Sequence, residues 1–174
     1  MVEDERILNN KYKIICSINE GSYGIVYKVK QTSNDKIYAI KESIDKQCKS
    51  FKREIFALNK ISEYKKKQDK NYKSYTINMI DNFREKDKKG QEKIYIVLEY
   101  MQNESLVKYF ENNQKIVPKI CAKYLFSKIA KRVQEIHNSG LCHLDLKLEN
   151  IFLDENYNPI ICDFGFSSDS SQII

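Results

Sequence analysis

The sequence predicts an α+β fold, with a small antiparallel lobe of five strands and one helix followed by the beginning of a mainly helical second lobe. Two observations predict it. Short β-type segments separated by turn residues fill the first hundred positions, interrupted by a single stretch of helical spacing. After Met101-Gln-Asn the apolar residues recur at intervals of three and four instead, which is the period of a buried helix face.

Taken in order, Tyr12, Ile14 and Cys16 mark the first strand, and Ile25 to Val29 repeat the pattern after a glycine turn. Gln31-Thr-Ser-Asn-Asp35 reads as the next turn, and Ile37-Tyr-Ala-Ile-Lys41 as the third strand. Phe51, Ile55, Leu58 and Ile61 then fall at helical spacing with Lys and Glu between them. A Lys-rich stretch, Glu63 to Lys73, leads to two more strands, Thr76 to Phe83 and Ile94 to Tyr100, joined by the charged turn Arg84 to Lys93. Ser105 to Asn112 reads as a short helix. Pro118 to Asn138 reads as a long one, with an apolar stripe of Leu125, Ile129, Val133 and Ile136, and Ser139-Gly140 ends it. Two short β-type pieces, Ile151 to Leu153 and Ile160 to Cys162, flank the turn Asp154 to Pro159. The expected division is residues 1–101 for the first lobe and 102–174 for an incomplete second one.

The chain has 174 residues, 41% of them hydrophobic, enough to bury one substantial core or two small ones. Its net charge of +6 could suit nucleic acid or an anionic surface, but only four of the thirty basic residues are Arg (Arg6, Arg53, Arg84, Arg132). The Lys clusters sit in polar segments without interleaved aromatics, which favours solvated loops over a nucleic-acid interface. Five cysteines, widely spaced and without a Cys-x-x-Cys pair, suggest neither a disulfide framework nor a zinc site. Free thiols fit a reducing compartment. The start Met1-Val-Glu-Asp-Glu-Arg6 lacks the basic then apolar order of a secretion signal, and no stretch approaches a membrane span. The expected location is the cytoplasm, with the nucleus as an alternative.

Two clusters carry chemistry. Ile18-Asn-Glu-Gly-Ser-Tyr-Gly-Ile-Val26 is a strand, a glycine turn and a strand, suited either to a tight hairpin or to backbone N–H groups approaching a polyphosphate. Lys41, ending an apolar strand, is equally open: such a Lys commonly snorkels to water. The second cluster is more specific. His143-Leu-Asp-Leu-Lys-Leu-Glu-Asn150 packs a His, an Asp, a Lys and an Asn into one loop, and Asp163-Phe-Gly165 follows. Asn and Asp oxygens can share a hard cation, Lys can meet a phosphate, and a second Asp can take a proton from a hydroxyl. A capped polar loop around a core His is the plainer alternative.

In this order the motifs resemble those of the protein kinase family, over Lys11 to Phe166. The resemblance implies that Ile18, Gly21, Gly24, Val26 and Ala39 bind ATP, the glycines covering the phosphates and Val26 and Ala39 enclosing the adenine. It implies that Lys41 holds the α- and β-phosphates, steadied by Glu54. Leu98 corresponds to the gatekeeper, Glu99 to Met101 to the hinge that meets the adenine edge, and Phe152 to the floor of the adenine pocket. His143 and Phe164, with Leu58, would stack into an apolar column. Asp145 would orient the substrate hydroxyl and take its proton, Lys147 would neutralise the transferring phosphoryl group, and Asn150 and Asp163 would hold Mg²⁺. A Lys two residues after the Asp resembles Ser/Thr kinases more than Tyr kinases. ATP, Mg²⁺ and a protein substrate are the implied partners, with neither nucleic acid nor a membrane span.

The sequence departs from the family's pattern at three places. Asn19 replaces the first loop glycine, which stiffens the turn. Leu144 replaces the Arg before the catalytic Asp, so Ser167, Ser168, Ser170 and Ser171 are not expected to act as an on-switch gripped by that Arg. Only eleven residues follow Asp163, with no Ala-Pro-Glu segment. The expectation is a domain cut shortly after Asp-Phe-Gly, with an apolar face exposed around Leu125 and Ile129 and open to a covering partner. A nucleotide-binding module that transfers nothing is the alternative function.

Overall fold

A computed structural model describes residues 6–21, 24–44, 48–69, 75–112 and 118–172. They form two compact units, one of Met1–Ile55 and Asn78–Tyr100, the other of Phe56–Ile77 and Met101–Ile174.

The first unit is built on β1 (Ile7–Leu8), β2 (Tyr12–Gly21), β3 (Gly24–Gln31) and β4 (Ile37–Ser43), then the start of α1 (Lys49–Lys66), then β5 (Met79–Lys86) and β6 (Glu92–Glu99). The strands make one antiparallel sheet in the order β1-β2-β3-β4-β6-β5. Five of the six match the expected strands. The sixth, β1, is two residues long, too short to leave a periodic signal. The period of two sorts each strand into faces. Val29, Ile40, Tyr95 and Val97 turn to one face, where they pack with Leu8 and Tyr12 into a core whose every member is at most 3% exposed. Phe83 stacks on Tyr95 at 4.9 Å and 11°, and Tyr12 meets Tyr38 edge-on. Burying side chains of this size contributes roughly 1.5–3 kcal/mol each. The β5–β6 turn is tighter than its charge pattern implies. Asp87 Oδ1 accepts the N–H groups of Lys89 and Gln91, and Gly90 takes φ +78, so pairing extends to Lys86 and resumes at Glu92.

The start of one expected strand, Thr76 to Asn78, lies outside β5. Thr76 bridges Ile161, and the Ile77 N–H donates to the Ile161 carbonyl, both within the second unit. That unit also holds α2 (Leu106–Asn112), α3 (Lys119–Asn138), β7 (Leu141–Cys142), β8 (Ile151–Leu153), β9 (Pro159–Ile161) and β10 (Ser168–Asp169). Strands β8 and β9 pair, as do β7 and β10. Pro118 has φ −54, ready for the first turn of α3, and Gly140 at φ +77 stops it. Leu106, Ile151 and Leu153 form a core against Leu125 and Ile129. Among the described residues no helix is long and apolar enough to cross a membrane.

The buried rows of both long helices contain charged groups among the apolar ones. In α1 the buried positions are Phe51, Glu54, Ala57, Leu58 and Ile61, with Ile55 at the edge. In α3, Arg132 and Glu135 are buried beside Ile136. Arg132 Nε donates to the Pro159 carbonyl at 3.2 Å, and the Tyr75 N–H donates to Glu135 Oε2.

Candidate active site

In the first unit, strand pairing sets which side chains share a face, because residues directly opposite one another project to the same side. Val26 faces Lys41, and Lys41 faces Ile96; one step along, Ala39 faces Leu98. Val26, Ala39, Lys41 and Leu98 therefore stand on the face opposite the aromatic core. Lys41 Nζ donates to both oxygens of Glu54, at 2.7 and 2.9 Å, so that an ammonium from β4 is fixed by a carboxylate from α1. Glu54 is 2% exposed, and a polar group that buried needs a partner of this kind to offset the water it loses.

The two glycines of the β2–β3 hairpin differ in kind. Gly24 has φ +147, and a Cβ there would sit 1.9 Å from the Glu42 carbonyl oxygen, so glycine is required by the facing strand. At Gly21 a Cβ would meet nothing within 4 Å, only open space. Ser22 and Tyr23, between them, lie outside the described residues. Ile18 falls in a register shift of β2, between the pairs Ser17↔Tyr27 and Asn19↔Val26, and is 48% exposed. Glu99 ends β6. Its N–H donates to the Asn78 carbonyl and its carboxylate accepts from Asn78 N and Nδ2, so both groups are already engaged.

In the second unit, Asp145, Lys147 and Asn150 converge. Lys147 Nζ lies 2.8 Å from Asp145 Oδ2, and Asn150 Nδ2 donates to the same oxygen at 3.0 Å and to the Asp145 carbonyl at 2.9 Å. Two acceptors on one side of the Asn150 amide fix which end is nitrogen. The Asn150 Oδ1 consequently points away and accepts no hydrogen bond among the described residues; the same is true of Asp145 Oδ1. The Lys147 bond is the main cause that lowers the Asp145 carboxyl below its ordinary pKa, and in return Asp145 raises Lys147. Asp145 is thus an ionised, weakly basic group held in one orientation.

Asp163 is brought to this loop by the backbone. The Cys162 N–H donates to the Asn150 carbonyl at 2.8 Å, and His143 Nε2 lies 3.0 Å from the Cys162 carbonyl. The Asp145 N–H points at His143 Nδ1, which makes that nitrogen the acceptor and Nε2 the donor of a neutral imidazole. His143 packs against Phe164 with ring centroids 4.9 Å apart; Phe164 and Leu58 are both buried. Asp163 itself is half-buried and takes φ +63. It raises Lys147 further, so its charge is felt at the loop. An amide oxygen and a carboxylate suit a hard cation such as Mg²⁺, which keeps waters and phosphate oxygens for the rest of its shell. Among the described residues no three His, Cys, Asp or Glu side chains gather, so a metal cage made by protein alone is not what this set resembles. Met101 and Phe152 belong to the same unit, half-buried, with Phe152 bridging Ser105.

Sequence reasoning missed three things here: the engaged N–H of Glu99, the buried state of Ser167, and Lys60. The Ser167 hydroxyl donates to the Phe164 carbonyl at 2.6 Å and closes the turn after Asp163. Lys60 Nζ contacts Asp169 and Gly140. No local spacing could have linked partners so far apart in the chain.

Among known proteins, the family described as protein kinase domain matches residues 12–172. NUAK family SNF1-like kinase 1 of Mus musculus is 30% identical over 167 residues, covering 92% of this chain and 23% of its own length. Cyclin-dependent kinase-like 4 of Mus musculus is 31% identical over 157 residues, covering 90% of this chain and 43% of its own. Serine/threonine-protein kinase ppk16 of Schizosaccharomyces pombe is 29% identical over 160 residues, covering 91% and 21%. The chain spans less than half the length of each of these relatives.

Proposed function

This chain belongs to the protein kinase family, and from that premise we propose that it transfers the terminal phosphoryl group of ATP to Ser or Thr hydroxyls of protein substrates. The observation that carries the reading is the state of Asp145: one oxygen tied down by Lys147 and Asn150, the other open. A carboxylate held this way can orient a hydroxyl, and its lowered pKa makes it a poor base until the hydroxyl oxygen has begun to bond to phosphorus. That timing suits a loose phosphoryl-transfer transition state.

The other groups take roles consistent with this. Lys41, braced by Glu54, offers an ammonium to the α- and β-phosphates, and Val26 and Ala39 on the same sheet face offer apolar contact to the adenine. Glu99, Met101 and Phe152 would complete the adenine contacts, and Ile18 and Gly21 would cover the nucleotide. Asn150 Oδ1 and the Asp163 carboxylate would hold Mg²⁺. Bound Mg²⁺–ATP supplies the phosphoryl group and the neutralising divalent charge. Lys147, raised by Asp145, stays protonated and faces the charge that develops on the transferring group. Its place two residues after Asp145, and the name of the S. pombe relative, support Ser/Thr over Tyr as the acceptor.

Transfer of radiolabelled γ-phosphate from ATP to a generic basic protein tests the proposal. Wild type should label it, and Asp145→Asn should lower the rate by about 100-fold or more. Thermal stabilisation by Mg²⁺–ATP with no transfer would instead leave a nucleotide-binding module.

A further inference from the structure

Two segments carry the catalytic carboxylates of the second unit. Strand β7 runs directly into His143 and the Asp145 loop, and β10 begins five residues after Asp163. They pair over only two positions, Ser168↔Cys142 and Asp169↔Leu141. So short a ladder is marginal without outside support. Both segments also carry strain, since Leu144 at φ +64 and Asp163 at φ +63 sit in the left-handed region that non-glycine residues avoid. Such a conformation persists only when its flanks are held.

On the near side of Asp163, the Cys162 bond to Asn150 supplies the hold. On the far side Ser167 closes the turn on the Phe164 carbonyl, and beyond it β10 is held by Lys60, from α1. Its ammonium pairs with Asp169 Oδ2 and donates to the Gly140 carbonyl at 3.2 Å. The Ser170 N–H donates to that same carbonyl, while the other Asp169 oxygen accepts both N–H and hydroxyl of Ser171. The turn makes room for the ammonium, because a Cβ at Gly140 would come within 3.2 Å of Lys60 Nζ. Lys60 and Asp169 side chains are 29% and 24% exposed, so the pair is partly withdrawn from water. Consistent with that contact, Asp169 is lowered to about 2, chiefly by its bond to Lys60.

We propose that Lys60 is a positioning residue: by clamping Asp169 onto the Gly140 turn it keeps β7 and β10 paired, and so fixes Asp163 relative to the Asp145 loop. The role rests on the kinase reading, since it matters only if Asp163 holds a metal ion. It also assigns the cation that orders this segment to α1, within the chain, where Leu144 offers none. Because the anchoring anion is a carboxylate already in the sequence, the clamp needs no phosphate.

The test uses the full chain with two readouts. Hydrogen exchange reports the clamp: in Lys60→Met and in Asp169→Asn, the Ser170 amide should exchange at least tenfold faster. The Mg²⁺ concentration giving half-maximal binding of a fluorescent ADP reports Asp163: it should rise at least fivefold in both variants and return toward wild type in Lys60→Arg and in the charge swap Lys60→Asp with Asp169→Lys. Asp163→Asn is run beside them. If it leaves the Mg²⁺ dependence unchanged, the kinase reading falls and this inference with it. If it abolishes that dependence while Lys60→Met changes neither readout, or speeds exchange alone, Lys60 has no positioning role and only the inference is overturned.

Discussion

The guanidinium carbon of Arg132 lies 3.3 Å from the centre of the Tyr75 ring, and Arg132 is 2% exposed. The charge is therefore carried into the second unit beside the Tyr75 side chain, the Pro159 carbonyl and the buried Glu135, while Nη2 finds no acceptor among the described residues. Burial lowers the pKa of the guanidinium, as expected when the solvation it loses is only partly replaced. Arg132→Ala should destabilise the protein by about 3 kcal/mol, because it empties a packed site and strands the Pro159 carbonyl. Arg132→Met keeps most of the volume but also strands the Pro159 carbonyl and takes a cation from buried Glu135, so it should cost about 2 kcal/mol, less than alanine only by the packing it retains. Urea unfolding of the two variants decides the matter; equal losses would mean that the charge, and not the packing, is what the site needs.

The Gly21 and Gly24 contrast separates a glycine required by the fold from one available to a ligand. Gly24→Ala drives a methyl into the Glu42 carbonyl at a φ that alanine avoids, so the hairpin has to move and the melting temperature should fall by several degrees. Gly21→Ala meets open space, and its stability should stay within about 0.5 kcal/mol of wild type. If the open side of Gly21 lies against phosphate, the same variant weakens ATP binding several-fold. Unchanged ATP affinity would remove Gly21 from the nucleotide site.

Removing Lys41 takes two hydrogen bonds from a carboxylate that is 2% exposed. Lys41→Met should cost about 3 kcal/mol, since the charge of Glu54 stays buried with its main countercharge gone. Glu54→Gln removes that charge and should be milder, and the double variant should recover part of the Lys41→Met loss. A double-mutant cycle by urea unfolding measures this; strictly additive losses would show that the pair contributes nothing as a pair.

What could be read from the sequence follows from how local each signal is. The loop from His143 to Asn150 holds its Asp145, Lys147 and Asn150 contacts within five residues, so motif and geometry coincide. The five longer strands were legible from alternation, whereas β1 was too short. The Lys41–Glu54 pair was reached through family resemblance, and the structure gave it a reason in helix register: Glu54 stands in the buried row of α1. Arg132 also stands in its helix's apolar row, seven residues after Leu125, but its partner Tyr75 is distant in sequence and nothing local marks the stacking. The same holds for Lys60 and Asp169, 109 residues apart. Thr76 carries strand propensity and is drawn off by Ile161, a tertiary pairing that outweighs intrinsic preference.

His143 makes stability depend on pH in a defined direction. Burial is the main cause lowering its pKa, opposed by the bond to the Cys162 carbonyl. Protonation in place would put a hydrogen on Nδ1, against the Asp145 N–H that donates to it. The folded state thus resists a proton that the unfolded chain accepts with an ordinary pKa of about 6.5. The contribution to stability is complete above about pH 6.5 and is lost as pH falls from there through the lower folded value. Asp145 and Asp169 are depressed carboxylates whose own losses begin near their ordinary value of 3.8, outside that window. In a His137→Gln background, which leaves one imidazole, urea midpoints should drop between about pH 7.5 and 5.5. His143→Gln should flatten that slope. A midpoint that stays level or rises on acidification would mean that the imidazole is protonated in the fold, contradicting the neutral tautomer that its two hydrogen bonds describe.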